Sequence, residues 1–223
     1  MSIDIVYEHQ DWILVNKPEG VDFHSQNGEV GFHRQLCDQL GFNVFPVHRL
    51  DKATSGLLLF AKSQDACRGL VELFSQRKVE KYYLAIVSNK LKKKQGKVFG
   101  DMVKSRNGSY KLTQERRNPA FTQFLSQALK PGYRLALLKP KTGKTHQLRV
   151  AMKSLGSAIV GDQRYGGESA NRLYLHAYAL KFDWQGRDYC FQYLPHSGEM
   201  FFGQEFDQVM ELYAVPWDLK WPS

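Results

Sequence analysis

Short runs of β-branched and aromatic residues, broken by glycine, proline and polar turns, dominate the pattern of this chain. Residues 3–7 and 12–16 read as two strands separated by the polar turn 8–11. Lys17-Pro18-Glu19-Gly20 then breaks the pattern, because proline withdraws a backbone donor and glycine favours a turn. Residues 30–40 suit a short helix, with Gly41 placed to stop it. Residues 45–50 and 57–61 read as strands on either side of the polar turn 51–56. Ser63 is placed to cap a helix over residues 64–76, whose Ala66, Leu70, Leu73 and Phe74 recur at helical spacing.

The second half repeats this alternation. Residues 82–87, 98–103, 121–129 and 133–138 read as strands, with a basic turn at 90–97 and a polar, basic loop at 104–118. Over residues 145–155 the period becomes helical. Leu148, Met152 and Leu155 fall on one face, and His146, Arg149 and Lys153 on another, with Gly156 at the end. Residues 173–182 and 189–193 close the strand-rich part, and 206–212 form a last short helix. Many strands with few helices predict an α+β fold with a largely antiparallel sheet. No repeat of solenoid length and no interdomain linker is visible, so 223 residues read as one domain, 1–223, without a separate N-terminal RNA-binding module.

Composition narrows the class. A hydrophobic fraction of 43% supports a globular core and argues against disorder. The net charge of +9 favours a polyanionic partner, although charge alone does not say which. Cys37, Cys67 and Cys190 are too scattered for a disulfide framework or a zinc site. The first eight residues lack the basic start and apolar run of a signal peptide, and no stretch approaches a membrane span. A cytoplasmic protein is the expectation.

Three segments could carry chemistry. In His48-Arg49-Leu50-Asp51-Lys52-Ala53-Thr54-Ser55-Gly56 a carboxylate sits between two cations after an apolar strand. Such a carboxylate stays ionised and nucleophilic, although a turn aspartate bonded to its own backbone has the same look. In Lys139-Pro140-Lys141-Thr142-Gly143-Lys144-Thr145-His146-Gln147-Leu148-Arg149 a glycine turn and a basic cluster lead into a helix start, which favours an anion. It is no P-loop, because the required first glycine is Leu138. In Lys81-Tyr82-Tyr83-Leu84-Ala85-Ile86-Val87 alternation sends Tyr82 and Tyr83 to opposite faces of a sheet, one free to enter the core and one a site.

Together these segments resemble the RluA-type pseudouridine synthase family. His48-Arg49-Leu50-Asp51 with Thr54-Ser55-Gly56 resembles its catalytic motif, and Lys81, Tyr83 and Ala85 its second. Thr145-His146-Gln147-Leu148-Arg149-Val150 resembles the third. Asn16-Lys17-Pro18, Gly161-Asp162, Tyr165-Gly166 and Leu175-His176-Ala177 continue the match in order. Lys144 and Ala151 depart from it, standing where Arg and His are usual.

The resemblance implies a catalytic fold with a mixed, mainly antiparallel bent sheet flanked by helices and loops. It implies an isomerase that converts uridine to pseudouridine in ribosomal or transfer RNA, acting as a monomer and needing no cofactor, metal or protein partner. Nothing enters or leaves but protons. Asp51 would be the nucleophile, Tyr83 would stack on the uracil, and Arg149 would pair with Asp51. Arg49 would fill the space of the flipped nucleotide, Leu175 would pack against the site, and His48, Lys144 and His146 would contact substrate. The basic stretches 90–97 and 104–117, the second containing Tyr110, would track phosphates or stand as solvated hairpin tips. Rival readings are an RNA-binding protein that has lost activity, a uracil-releasing hydrolase and a phosphate-ester enzyme.

Overall fold

The computed structural model describes residues 2–25, 28–88 and 90–222. Along the chain lie β1 (Asp4–Glu8), β2 (Trp12–Lys17), α1 (Phe32–Leu40), β3 (Phe45–Pro46), β4 (Ser55–Ala61), α2 (Gln64–Ser75), β5 (Glu80–Ser88) and β6 (Gln95–Lys104). They are followed by β7 (Tyr110–Leu112), β8 (Pro119–Lys130), β9 (Tyr133–Pro140), α3 (Gln147–Ser154), β10 (Leu175–Trp184), β11 (Arg187–Gln192) and α4 (Gln204–Leu212). Single helical turns occupy Arg106–Gly108, Gln163–Tyr165 and Glu199–Phe201. The chain divides into two compact units, residues 1–79 with 177–194, and residues 80–176 with 195–223.

In the first unit the strand order is β1-β2-β4-β10, with β3 on β4 and β11 on β10. Side chains at alternate positions share one face of a sheet. Trp12 and Leu14 of β2, Leu57, Leu59 and Ala61 of β4, and Leu180, Phe182 and Trp184 of β10 therefore form one apolar cluster, joined by Ala66 and Leu70 of α2. The Ser63 hydroxyl accepts the Ala66 N–H at 3.1 Å, the cap expected from the sequence. Gly69 lets α2 lie against Trp184, because a Cβ there would stand 3.0 Å from the indole. Gly41 stops α1 in the left-handed conformation, φ 75°, with its N–H on the Cys37 carbonyl. The strand expected over 45–50 is shorter. Pro46 has no N–H to extend a ladder, and residues beyond it leave β4 for the Asp51 turn.

In the second unit the order is β5-β9-β8-β6-β7, with each neighbouring pair antiparallel. Helix α3 packs on β7, β8 and β9, and α4 on β8. Helices against antiparallel strands in both units are the α+β class that the sequence predicts. Two differences are local. The basic turn expected over 90–97 ends early, since β6 begins at Gln95. The polar loop expected over 104–118 contains β7, which pairs Met102 with Leu112 and Lys104 with Tyr110. Asp101 fixes this return: its carboxylate accepts the N–H groups of Arg117 and Asn118, at 3.0 and 2.9 Å. Gly100 beside it admits the Thr113 carbonyl, which would stand 2.3 Å from a Cβ.

Candidate active site

The Asp51 turn is braced from the end of β2. Lys17, at the end of β2, has no exposed surface. Its ammonium donates to the carbonyls of Pro18, Lys52 and Thr54 at 2.8, 3.1 and 3.0 Å. Such bonds to carbonyl oxygens offset what burial of the charge costs. The Gly20 N–H also donates to the Lys52 carbonyl at 2.9 Å, and the Thr54 N–H to the Asp51 carbonyl at 3.0 Å. Gly56 closes the turn at φ 112°, where a Cβ would stand 2.3 Å from the Ala177 carbonyl oxygen. Asp51 emerges half-buried and Arg49 exposed, with Leu50 buried between them.

Neighbouring side chains complete the frame. Lys52 pairs with Asp22 at 2.8 Å, and this hydrogen bond and its charge raise the lysine above its ordinary value. The His48 ring accepts the Leu59 N–H at 3.1 Å and stacks on Phe74 with centroids 4.6 Å apart. These contacts anchor the backbone that leads to Asp51.

In the second unit β5 carries Lys81, Tyr82 and Tyr83. Tyr82 is fully buried and Tyr83 half-buried, the split that strand alternation predicts. Tyr83 pairs in register with Leu138 of β9. Lys81 is buried, and burial, followed by the charge of Lys141, pushes it down to about 8. Leu175 is buried at the start of β10.

Helix α3 begins in an unusual way. His146 takes φ 59° at its N-terminal boundary, so the helix starts at Gln147 and not at Thr145. The Gln147 amide holds the preceding turn. Its oxygen accepts the Thr142 hydroxyl and the Lys144 N–H, and its nitrogen donates to the Phe121 carbonyl and the Thr122 hydroxyl. The Lys144 ammonium donates to the Asn118 carbonyl.

Two residues later, Arg149 is held on two sides. Its Nε and Nη2 donate to the two carboxylate oxygens of Asp162 at 2.8 and 2.7 Å. The Tyr165 ring lies 5.0 Å from the guanidinium carbon. Both charged partners are buried, Asp162 to 2% exposure, so the bidentate geometry is what makes the pair tolerable there. Asp162 takes up two of the five guanidinium N–H donors. Tyr165 in turn accepts the Tyr110 N–H at 3.0 Å and shares a 2.8 Å hydrogen bond with His146.

Sequence reasoning noted Lys17 and Asp162 as motif residues without giving either a task. An interior lysine inside a strand was the available signal for the first, since such a charge must be met by several acceptors. No spacing rule links Arg149 to Asp162, because they lie on different elements. Among the described residues no cluster of three or more His, Cys, Asp or Glu is arranged to hold a metal, and no helix is long and apolar enough to cross a membrane.

This architecture recurs in a solved human structure, RNA Pseudouridylate Synthase Domain Containing 1. The TM-score is 0.75 and the identity 24%, over 96% of this chain and 95% of that one. The likeness defines the fold as that of pseudouridylate synthase domains. The sequence goes further: residues 11–154 match the RNA pseudouridylate synthase family. The chain is 45% identical over 218 residues to an uncharacterized RNA pseudouridine synthase of Haemophilus influenzae, covering 96% of this chain and 97% of that protein. It is 38% identical over 210 residues to tRNA pseudouridine synthase C of Haemophilus ducreyi, covering 82% and 86%. The chain therefore belongs to the RNA pseudouridylate synthase family, whose members are isomerases acting on RNA.

Proposed function

We propose that Asp51 is the catalytic carboxylate, acting on a uridine flipped out of structured RNA. The observation that carries this reading is the bracing of residues 51–54 by a fully buried lysine whose ammonium donates to the carbonyls of Lys52 and Thr54. A turn that only reversed the chain would not need an interior charge. Attack on ribose C1′, addition to ring C6 and assistance to proton removal all require a carboxylate held in a defined place.

The remaining assignments follow the chemistry. The N1–C1′ bond breaks and a C5–C1′ bond forms; the C5 proton leaves and N1 gains one. Extruding the uridine costs a few kcal/mol, which a side chain entering the vacated stack offsets. Arg49 is planar, charged and exposed, and takes that part. Tyr83 gives the base a flat face, and Arg149 supplies positive charge to the reacting centre. Leu175 packs at the site, Lys144 and His146 face the RNA strand, and His48 holds Arg49 and Asp51 in place. The substrate is transfer or ribosomal RNA, met in the cytoplasm by a monomer. The tRNA-acting relative supports the first of the two.

The test is tritium release from uridine-5-tritiated RNA drawn from cells lacking this protein. The native protein is expected to release label. Asp51→Asn is expected to lose at least about 1,000-fold in rate while melting like the native chain. Comparable release by the variant would remove Asp51 from the chemistry. RNA retention without release by the native protein would favour an inactive binding protein.

A further inference from the structure

One turn beyond Arg149, helix α3 presents the exposed Lys153 and Ser154. Lys111 of β7 and Arg164 of the turn after Asp162 line the same open groove, with Tyr110 and Tyr165 between them. The groove measures about 610 Å³. Its described lining contains three cations and no carboxylate, and none of the three cations forms an ion pair among the described residues.

The walls are tied together. Arg164 donates to the carbonyls of Asn107 and Gly108 at 3.3 and 3.1 Å, so the turn that precedes β7 is strapped to the Asp162–Tyr165 segment. The Tyr110 N–H on the Tyr165 hydroxyl is a second tie. Tyr165 also carries the Arg149 guanidinium against its ring. The cationic side chains thus stand on a braced frame and not on an isolated hairpin tip.

A pocket for a small organic ligand is concave enough to bury most of its ligand, whereas this groove is open to solvent. An open groove lined by cations of one sign, with hydroxyl and amide donors between them, suits a polyanion instead. We infer that this groove binds the phosphodiester backbone of the substrate RNA, beside the nucleotide that is isomerised. The inference rests on the proposed action on structured RNA and adds a subsite to it. Lys111 and Lys153 neutralise phosphates, and Arg164 chiefly holds the wall. Tyr110, half-buried at the rim, offers a ring to an adjoining base.

The test uses a Lys111→Gln/Lys153→Gln double variant. Both lysines are exposed, and the bracing arginine is left in place. Filter retention of an unmodified transfer RNA transcript is measured over about 50–200 mM salt, alongside tritium release. The double variant is expected to bind several-fold more weakly. Its plot of log Kd against log salt should be shallower by about 1–2. In turnover KM should rise while kcat stays at the native value. Lys111→Arg/Lys153→Arg should restore both, and Lys220→Gln, an exposed control, should change neither. A double Gln variant with native Kd and native salt slope would overturn the groove. Failure of the enzymatic reading shows separately, as a native protein that releases no tritium, and the binding arm then still decides the groove.

Discussion

Each of the two units holds a buried cation beside proposed site residues, and the two cations are met differently. In the first unit Lys17 meets three backbone carbonyls and fixes a loop. In the second unit Arg149 meets the Asp162 carboxylate through two parallel bonds and lies against the Tyr165 ring. An ammonium is a compact charge with three donors that can point to three separate acceptors. A guanidinium is a flat fork that matches a carboxylate edge. The contrast teaches that Lys17 acts on backbone shape, and that Asp162 and Tyr165 act on the aim of one side chain. Neither cation is replaceable by the other.

The comparison is broken most severely at Lys17. Lys17→Met leaves three carbonyls without their common donor and should cost about 3–5 kcal/mol in urea unfolding. Lys17→Arg should recover little of it. A variant within about 1 kcal/mol of native would show that the turn holds its shape without the lysine. Asp162→Asn is the milder break, since the amide keeps the shape and one acceptor. It should cost about 2 kcal/mol, the worth of hydrogen bonding to a charged group. Turnover should fall with it while RNA affinity stays native, and Asp162→Glu should regain part of the turnover. Loss of stability with native kcat would make Asp162 a purely structural partner.

A third effect is confined to alkaline pH and concerns Lys81, whose charge is disfavoured by burial and by Lys141. Its folded-state value is about 8, against the ordinary 10.5. Between these values the unfolded chain binds a proton that the folded chain has lost, so stability rises with pH from about 8 to about 10.5. The rise should approach about 1 kcal/mol per pH unit and be absent in Lys81→Met. Parallel stability curves for the two proteins in this window would refute the shift.

Much of the frame was legible because it rests on local rules. Ser63, Gly41 and the alternation in β2 and β4 each follow from the residues beside them. The strand expected over 45–50 is shorter, because apolar content at Val47 and Leu50 fits a buried loop as well as a ladder, and both are buried. The hairpin through β7 has no clear signature in the sequence. Three residues carry too little alternation to announce a strand, and its anchor is the Asp101 carboxylate, outside the loop it closes. Asp51, Tyr83 and Arg149 could be named from ordered motifs. The parts of Lys17 and Asp162 are not legible there, because a hydrogen bond between separate segments leaves no period in the sequence.

The enclosure of Lys17 also makes it a chemical clock. An amine with no exposed surface and its protons on three carbonyls does not react with acylating reagents while the Asp51 turn stays shut. Exposed amines such as Lys92 or Lys220 are labelled at once. The rate at which Lys17 takes up label, read as a mass increase, is then the labelling rate of a free amine scaled by the fraction of time the loop carrying the proposed catalytic carboxylate stands open.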